Sequence, residues 1–441
     1  MTAATAWRVA VPVCGVALLA LFAGLYLDRP SLYFGALRAW GEYPFRFPFL
    51  DTQAVFSALD CARQGLDTYR YNPCDVLTRA FVYSPLILEA AIFPVTSAWT
   101  GIAGFALALG FLAAIASLPP PRGWRDATIM ALALLSTATL FAIERGNIDL
   151  LIFILIAIVG HLAMRGEGSR LTAYLAIVFA AGLKFYPLIL LALTLREKPR
   201  LFIAINAAAA ALLLWFVAHY HGVLLEAWQV LPTRPSDEAL IGWGAVILPR
   251  SMTKLLAPVL MLNPWTAPLT RFLPDLLLLL LVATCFGRAL AMARREENRA
   301  RLAALAPAQA LFLIVGSCLI VGCFFAGENI AYRGIFFLFL LPGLCAFVRA
   351  DTAAQFGGTA VAIVLLMWGD FLVHGAGVAT HALDSSPSVD PTVQAVIWLT
   401  LQLLWWRVVA GLAALIFCFV ASTEIGALAL ARLARPRPVA R

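Results

Sequence analysis

Four separated stretches of this 441-residue sequence set charged and amide side chains against long apolar runs. In "LFAIERGNIDLLIF" (140–153), Glu144, Arg145, Asn147 and Asp149 stand between two apolar segments. Lys184 ends another, "GENIAYRG" carries Glu328, Asn329, Tyr332 and Arg333, and Asp370 and His374 close a fourth. Arg145, Lys184 and Arg333 suit an anion such as a lipid phosphate, because charge-assisted donors bind it and arginine offers a bidentate fork. Each charge also has a plain structural reading, reaching for headgroups or pairing to fix helix register. Opposite this cationic set stands a stretch rich in aromatics and carboxylates, "FPFLDTQAVFSALDCARQGLDTYRYNPCDVLTRAFVYSPLIL" (47–88), with Asp51, Asp60, Asp67 and Tyr83. Asp51 precedes apolar Val55, Phe56 and Leu59, so it is expected to start an amphipathic helix, as an N-cap if its role is structural. Gly65 then stops that helix.

The elements that must position these groups follow from composition. Hydrophobic residues make up 62% of the chain and charged residues 13%, against about 45–50% and 25% in soluble domains. Apolar segments long enough to cross about 30 Å of hydrocarbon recur throughout, so the expected fold is an all-α polytopic membrane protein in a single domain, 1–441. The first apolar segment lacks a small-residue cleavage site and is read as a retained helix. The formal charge of +8 marks sidedness rather than nucleic acid: "PPPRGWRD", "MRGEGSR", "REKPR", "ARREENRAR" and the tail "ARLARPRPVAR" hold Arg and Lys at alternate segment ends, which the positive-inside rule makes cytoplasmic.

Crossings are expected near 8–27, 97–118, 126–143, 147–164, 171–184, 185–196, 201–218, 272–291, 307–326, 333–349, 356–374 and 404–430. That is ten to twelve helices with both termini cytoplasmic, since the short pair at 171–196, broken by Pro187, could be re-entrant. "SPLILEAAIFPVT" (84–96) reads as a helix entering the membrane at a slant. The three long connections, 28–83, 219–271 and 375–396, all fall outside, as an enzyme working at the outer surface requires. The polar groups above then collect at one membrane face.

Six of the eight cysteines lie in apolar segments, where the residue behaves as a small hydrophobe. Cys61 and Cys74 lie in the first outer loop and are disulfide candidates. Histidine and cysteine spacing offers no metal motif, and neither a D-x-D nor a glycine-rich phosphate loop occurs. No metal or cofactor is therefore expected. Trp228 and Trp243 could stack on sugar rings or form an interfacial belt. Glu226, Asp237 and Glu238 are candidate acceptor contacts with a solvated alternative.

The ordered set "FLDTQAVFSALDCARQGLDTY", "FVYSPLIL", "RGNIDLLIF", "LKFYPLILLAL" and "YRGIFFLFLLPGL" resembles glycosyltransferase family 87 over roughly residues 45–345. That resemblance implies a GT-C-like fold, with a long first extracytoplasmic loop carrying short amphipathic helices, in a bacterial-type inner membrane. It implies transfer of a mannose-like hexose from a polyprenyl-phosphate donor to a lipid- or glycan-linked acceptor among membrane lipids. By position Asp51 matches the family's proposed base. Asn147, Tyr332, Glu328, His374 and Tyr83 would join the three cations in binding substrate, and the space beside "SPLILEAAIF" would seat the polyprenyl chain. The family's usual Gly-Gln-x-Asn turn is "RGNID" here, without the glutamine. The other readings are a polysaccharide polymerase or ligase using a diphosphate-linked donor, and a lipid-linked sugar transporter or flippase.

Overall fold

The computed structural model of the chain describes residues 3–42, 44–230, 242–261, 269–350, 355–383 and 389–428. The apolar runs form helices, as expected where the backbone must satisfy its own hydrogen bonds. The first part holds α1 (Ala3–Asp28), α2 (Pro30–Ala39), α3 (Leu50–Arg63), a single turn α4 (Pro85–Leu88), α5 (Thr100–Ser117), α6 (Trp124–Leu134) and α7 (Thr137–Arg145). Next come α8 (Ile148–Ala163), α9 (Glu167–Leu183), a 3-10 helix at Tyr186–Arg196, and α10 (Pro199–Val230). The remainder is α11 (Ile247–Leu260), α12 (Leu269–Ala293), α13 (Glu296–Ala303), α14 (Pro307–Ala326), α15 (Phe337–Arg349), α16 (Thr359–Met367), α17 (Gly369–Leu383) and α18 (Val389–Ser422). Two-residue strands β1 (Gly242–Trp243) and β2 (Asn329–Ile330) pair antiparallel, Gly242 opposite Ile330.

The centre of the bundle is α14 and α15, buried on all sides. Their backbones approach closely at Gly316 and Gly343, where an added Cβ would press on Leu340 and on the Gln309 backbone, the small-residue contact typical of membrane helices. Phe153 of α8 stacks on Phe339 of α15 with ring centroids 4.0 Å apart. By contrast α10 and α12 leave most of their apolar surface exposed, which suits lipid and not water.

Among the described residues seven helices are long and apolar enough to cross a membrane, or nine if the bent pairs α6–α7 and α16–α17 each count as one. This is fewer than the ten to twelve expected. The shortfall lies at α8, α9 and Tyr186–Arg196. With 16, 17 and 11 residues, at 1.5 Å per α-helical and 2.0 Å per 3-10 residue, they reach about 24, 26 and 22 Å, each short of about 30 Å.

The long connections also differ from expectation. Helices α17 and α18 run so far into 375–396 that only 384–388 separates them, and the last crossing begins well before residue 404. α11 occupies part of 219–271, and 84–96 is the single turn α4 followed by a 3-10 turn, not one slanted helix. Asp237, Glu238 and the tail arginines Arg432, Arg435, Arg437 and Arg441 lie outside the described residues.

Candidate functional site

The site is built around the turn between α7 and α8. Gly146 ends α7 with φ 56°, a left-handed conformation that glycine adopts without a Cβ penalty. The Asn147 N–H then reaches back to the Ala142 carbonyl, closing the helix end. Asn147 in turn caps α8, its Oδ1 accepting from the Asp149 N–H at 2.9 Å. The start of α3 is pinned to the same turn: Phe49 N–H donates to the Glu144 carbonyl, and Thr52 Oγ1 donates to the Gly146 carbonyl at 2.6 Å. Asp51, on the first turn of α3 rather than at its N-cap, which is Phe49, accordingly faces Asn147.

Asn147 links two charge clusters. Its Nδ2 donates to Asp51 Oδ2 at 2.6 Å, and its Oδ1 accepts from Lys184 Nζ at 3.3 Å. Lys184 Nζ and the Tyr186 hydroxyl both donate to Asp149 Oδ1 at 2.6 Å. Arg333 Nε lies 3.5 Å from Asp149 Oδ2, and neither of these two buried atoms has a hydrogen-bond partner. Lys184 sits over the rings of Tyr83 at 5.5 Å and Tyr332 at 5.8 Å. Two cations against one carboxylate leave this inner cluster one positive charge in excess (2 − 1).

Around Asp51 the balance differs. Arg79 binds Asp75 through Nε and Nη2, at 2.9 and 3.0 Å, and its Nη1 stands 3.6 Å from Asp51 Oδ1. Arg145 lies 3.9 Å from the same oxygen and 3.6 Å from Glu144, with its guanidinium over Phe45 and Phe141. Each arginine thus has a carboxylate of its own besides Asp51. The side chains of Asp149 and Asp75 are wholly buried and that of Glu144 nearly so, whereas Asp51 keeps 13% exposure. Of these four carboxylates Asp51 alone offers an open edge.

The structure therefore gathers Asp51, Asn147, Lys184, Arg333, Arg145, Tyr332 and Tyr83. It leaves Glu328 beside Arg250 and Lys254. Asp370, one turn before His374, lies against Gly41 and Glu42, on the Glu144 side of the site. Two residues at the centre, Tyr186 and Arg79, carried no sequence signal on their own, and Asp149, conspicuous between apolar runs, was not among the expected substrate contacts. Only the spacing Arg79–Asp75, four residues apart, hints at a locally held guanidinium.

Among the peripheral candidates, Cys61 and Cys74 are bonded, with Cα atoms 5.8 Å apart, which closes α3 onto the following loop. Asp60 pairs with Arg63 and accepts from the Ser97 N–H, and Asp67 turns the chain through the Tyr69 N–H. Trp243 is buried and stacks on Trp405, with centroids 4.2 Å apart, so it cannot face a sugar. Trp228 is exposed. Glu226 pairs with the largely exposed Arg70 at 2.7 Å, on the surface. No group of three or more metal-ligating side chains occurs among the described residues.

Two predictions arise from this framework. At Gly146 an added Cβ would strike Thr52 Oγ1 and the Phe49 ring, so Gly146→Ala combines a left-handed backbone with a clash. It should destabilise by about 1–3 kcal/mol and loosen Asp51, read as a lowered Tm and faster proteolysis near α3. Glu42, buried beside Asp370 and Glu144, has its carboxyl held well above the ordinary carboxylate range by burial first and those two acids second. The native state keeps this proton after the unfolded chain has lost it, so stability falls as pH rises from the ordinary value towards the raised one. Glu42→Gln should make that slope shallower and raise Tm at neutral pH, as thermal melts across pH 4–8 would report.

No protein family, no curated protein and no solved structure matches this chain.

Proposed function

We propose that the protein is a membrane glycosyltransferase of GT-C-like architecture that moves a sugar, a mannose-like hexose, from a polyprenyl-phosphate donor to a lipid- or glycan-linked acceptor. The observation that carries this reading is the Asn147 bridge: one side chain holds an open-edged carboxylate, Asp51, and also contacts the positively charged Lys184–Asp149–Arg333 cluster. Transfer needs a base for the acceptor hydroxyl proton and donors for the phosphate that departs. In this reading the acceptor oxygen forms its bond to the anomeric carbon and Asp51 receives its proton. The bond from that carbon to the phosphate oxygen breaks, and the phosphate leaves against the side chains of Lys184 and Arg333, which keep 10% and 18% exposure. The alternating basic connections support cytoplasmic termini and an active site on the extracytoplasmic face of a bacterial-type inner membrane.

A second reading, a lipid-linked sugar transporter, is favoured by the bends of 46° at α6–α7 and 64° at α16–α17, because broken helices line midplane sites in transporters. One assay separates the two. Purified protein in nanodiscs or vesicles is given a panel of polyprenyl-phosphate sugars, and the lipids are analysed by mass spectrometry. A mass gain of one hexose on an acceptor, with release of polyprenyl phosphate, supports transfer. Movement of intact sugar-lipid across the vesicle with no new glycoside supports transport instead.

A further inference from the structure

A cavity of about 680 Å³ lies between α1, α2, α5, the start of α3 and the α6–α7 pair, within the range of about 300–1,000 Å³ usual for small-molecule sites. It is not beside "SPLILEAAIF", where the sequence suggested a lipid groove. Its walls are apolar, with Phe22, Leu37, Phe105 and Leu140 among them, and exposed Leu27 and Val76 mark its mouth. Polar groups interrupt this lining: the hydroxyls of Tyr26, Tyr33, Ser97 and Thr100, and the side chains of Gln53 and Glu144. Gln53 and Glu144 are each 5% exposed, and each has a side-chain oxygen, Oε1, with no hydrogen-bond partner. A buried acceptor left unmet is unfavourable, by more than the net value of a typical hydrogen bond, unless something supplies the donor.

We propose that this cavity binds a neutral amphiphile, an alkyl or isoprenoid tail with a hydroxylated head, and that this is the sugar acceptor. Only the acceptor role rests on the glycosyl-transfer reading. The charge argument selects the head. Arg145 already lies 3.6 Å from Glu144 Oε2, so the acid's charge is met and what remains unmet is hydrogen-bond donation. An ammonium head has no uncompensated charge to answer, and a phosphate would meet the Glu144 acid and no lysine or arginine in the lining. The excess cations, Lys184 and Arg333, belong to the other side of the Asn147 bridge. The polar end of the cavity also adjoins the base: Gln53 lies two residues along α3 from Asp51, and Arg145, next to Glu144, is 3.9 Å from Asp51 Oδ1.

The test is photolabelling in nanodiscs with a long-chain alkyl glucoside carrying a diazirine in its tail. It is competed separately by unlabelled alkyl glucoside, farnesyl phosphate and a long-chain alkylamine. Labelling should map to α1 and α5 and be displaced by the glucoside at much lower concentration than by the phosphate or the amine. Gly101 lines the cavity and has open space where a Cβ would be, so Gly101→Leu should fold and cut labelling by at least about tenfold. Gln53→Leu removes an unmet buried acceptor, so it should raise Tm while weakening probe binding about three- to tenfold. A role confined to the fold would not move those two readouts in opposite directions. Displacement by farnesyl phosphate or by the amine at least as good as by the glucoside, or labelling unchanged in Gly101→Leu, overturns the assignment. A protein that takes the glucoside as stated yet transfers no sugar removes the transfer reading and leaves the cavity's ligand class standing.

Discussion

Asp51→Asn is expected to lower sugar transfer by about 10²–10⁴-fold while leaving the protein folded and able to bind donor. The expectation of intact folding comes from the charge pairs around it. Arg79 keeps its two bonds to Asp75, and Arg145 keeps Glu144, so neither guanidinium is stranded when Asp51 loses its charge. The hydrogen bond from Asn147 Nδ2 survives, since an asparagine oxygen accepts it as a carboxylate oxygen does. What disappears is the capacity to take a proton. Asp60 and Asp67 serve as internal controls. Asp60 is nine residues on, half a rotation round α3 at 100° per residue, and is held by Arg63 and the Ser97 N–H. Asp67 is spent on a turn. If Asp51→Asn transfers at the wild-type rate while Asp60→Asn or Asp67→Asn is silent, the base has been assigned to the wrong carboxylate.

How far the sequence reaches can be judged from the same residues. Long apolar runs announce their helices because period and composition are local properties, and Gly65 stops α3 by the same local logic, with φ 73° and the Leu66 N–H returning to Cys61. The site residues Asp51, Asn147, Lys184 and Arg333 stand out because a charge or amide beside an apolar run is costly enough to need a reason. Asp149 stands out by the same test, but its role does not. It reads as an ordinary first-turn acid favoured by the helix dipole, and its centrality depends on Lys184, 35 residues away, and on Arg333. Trp243 fails in the other direction. It looks like a surface group, yet Trp405 reaches it from far along the chain. The bends at α6–α7 and α16–α17 occur without an internal proline, so the strongest sequence signal for a broken helix is absent. The cavity beside Gln53 and Glu144 is lined from six helices, α1, α2, α3, α5, α6 and α7, and no single stretch encodes it.

The second large effect is expected at Asp149, and its sign depends on which member of the cluster is removed. Asp149→Asn leaves Lys184 and Arg333, with side chains 10% and 18% exposed, facing each other without a counter-charge. Breaking a buried pair in this way typically destabilises by about 3–5 kcal/mol, so the variant should purify poorly or melt well below wild type. Lys184→Met instead leaves Asp149 opposite Arg333, a neutral pair (1 − 1). It should fold and lose the excess positive charge, weakening donor affinity or rate about ten- to hundredfold, the usual worth of a charged hydrogen bond. The double variant Asp149→Asn with Lys184→Met carries one uncompensated cation, the same excess as wild type (2 − 1). It should therefore be more stable than Asp149→Asn alone, although a second residue has been changed. A double-mutant cycle by thermal or denaturant unfolding reads this coupling directly. Additive losses in that cycle would mean that the cluster's charges are screened by water. The excess charge offered here as the phosphate site would then not exist in the form described.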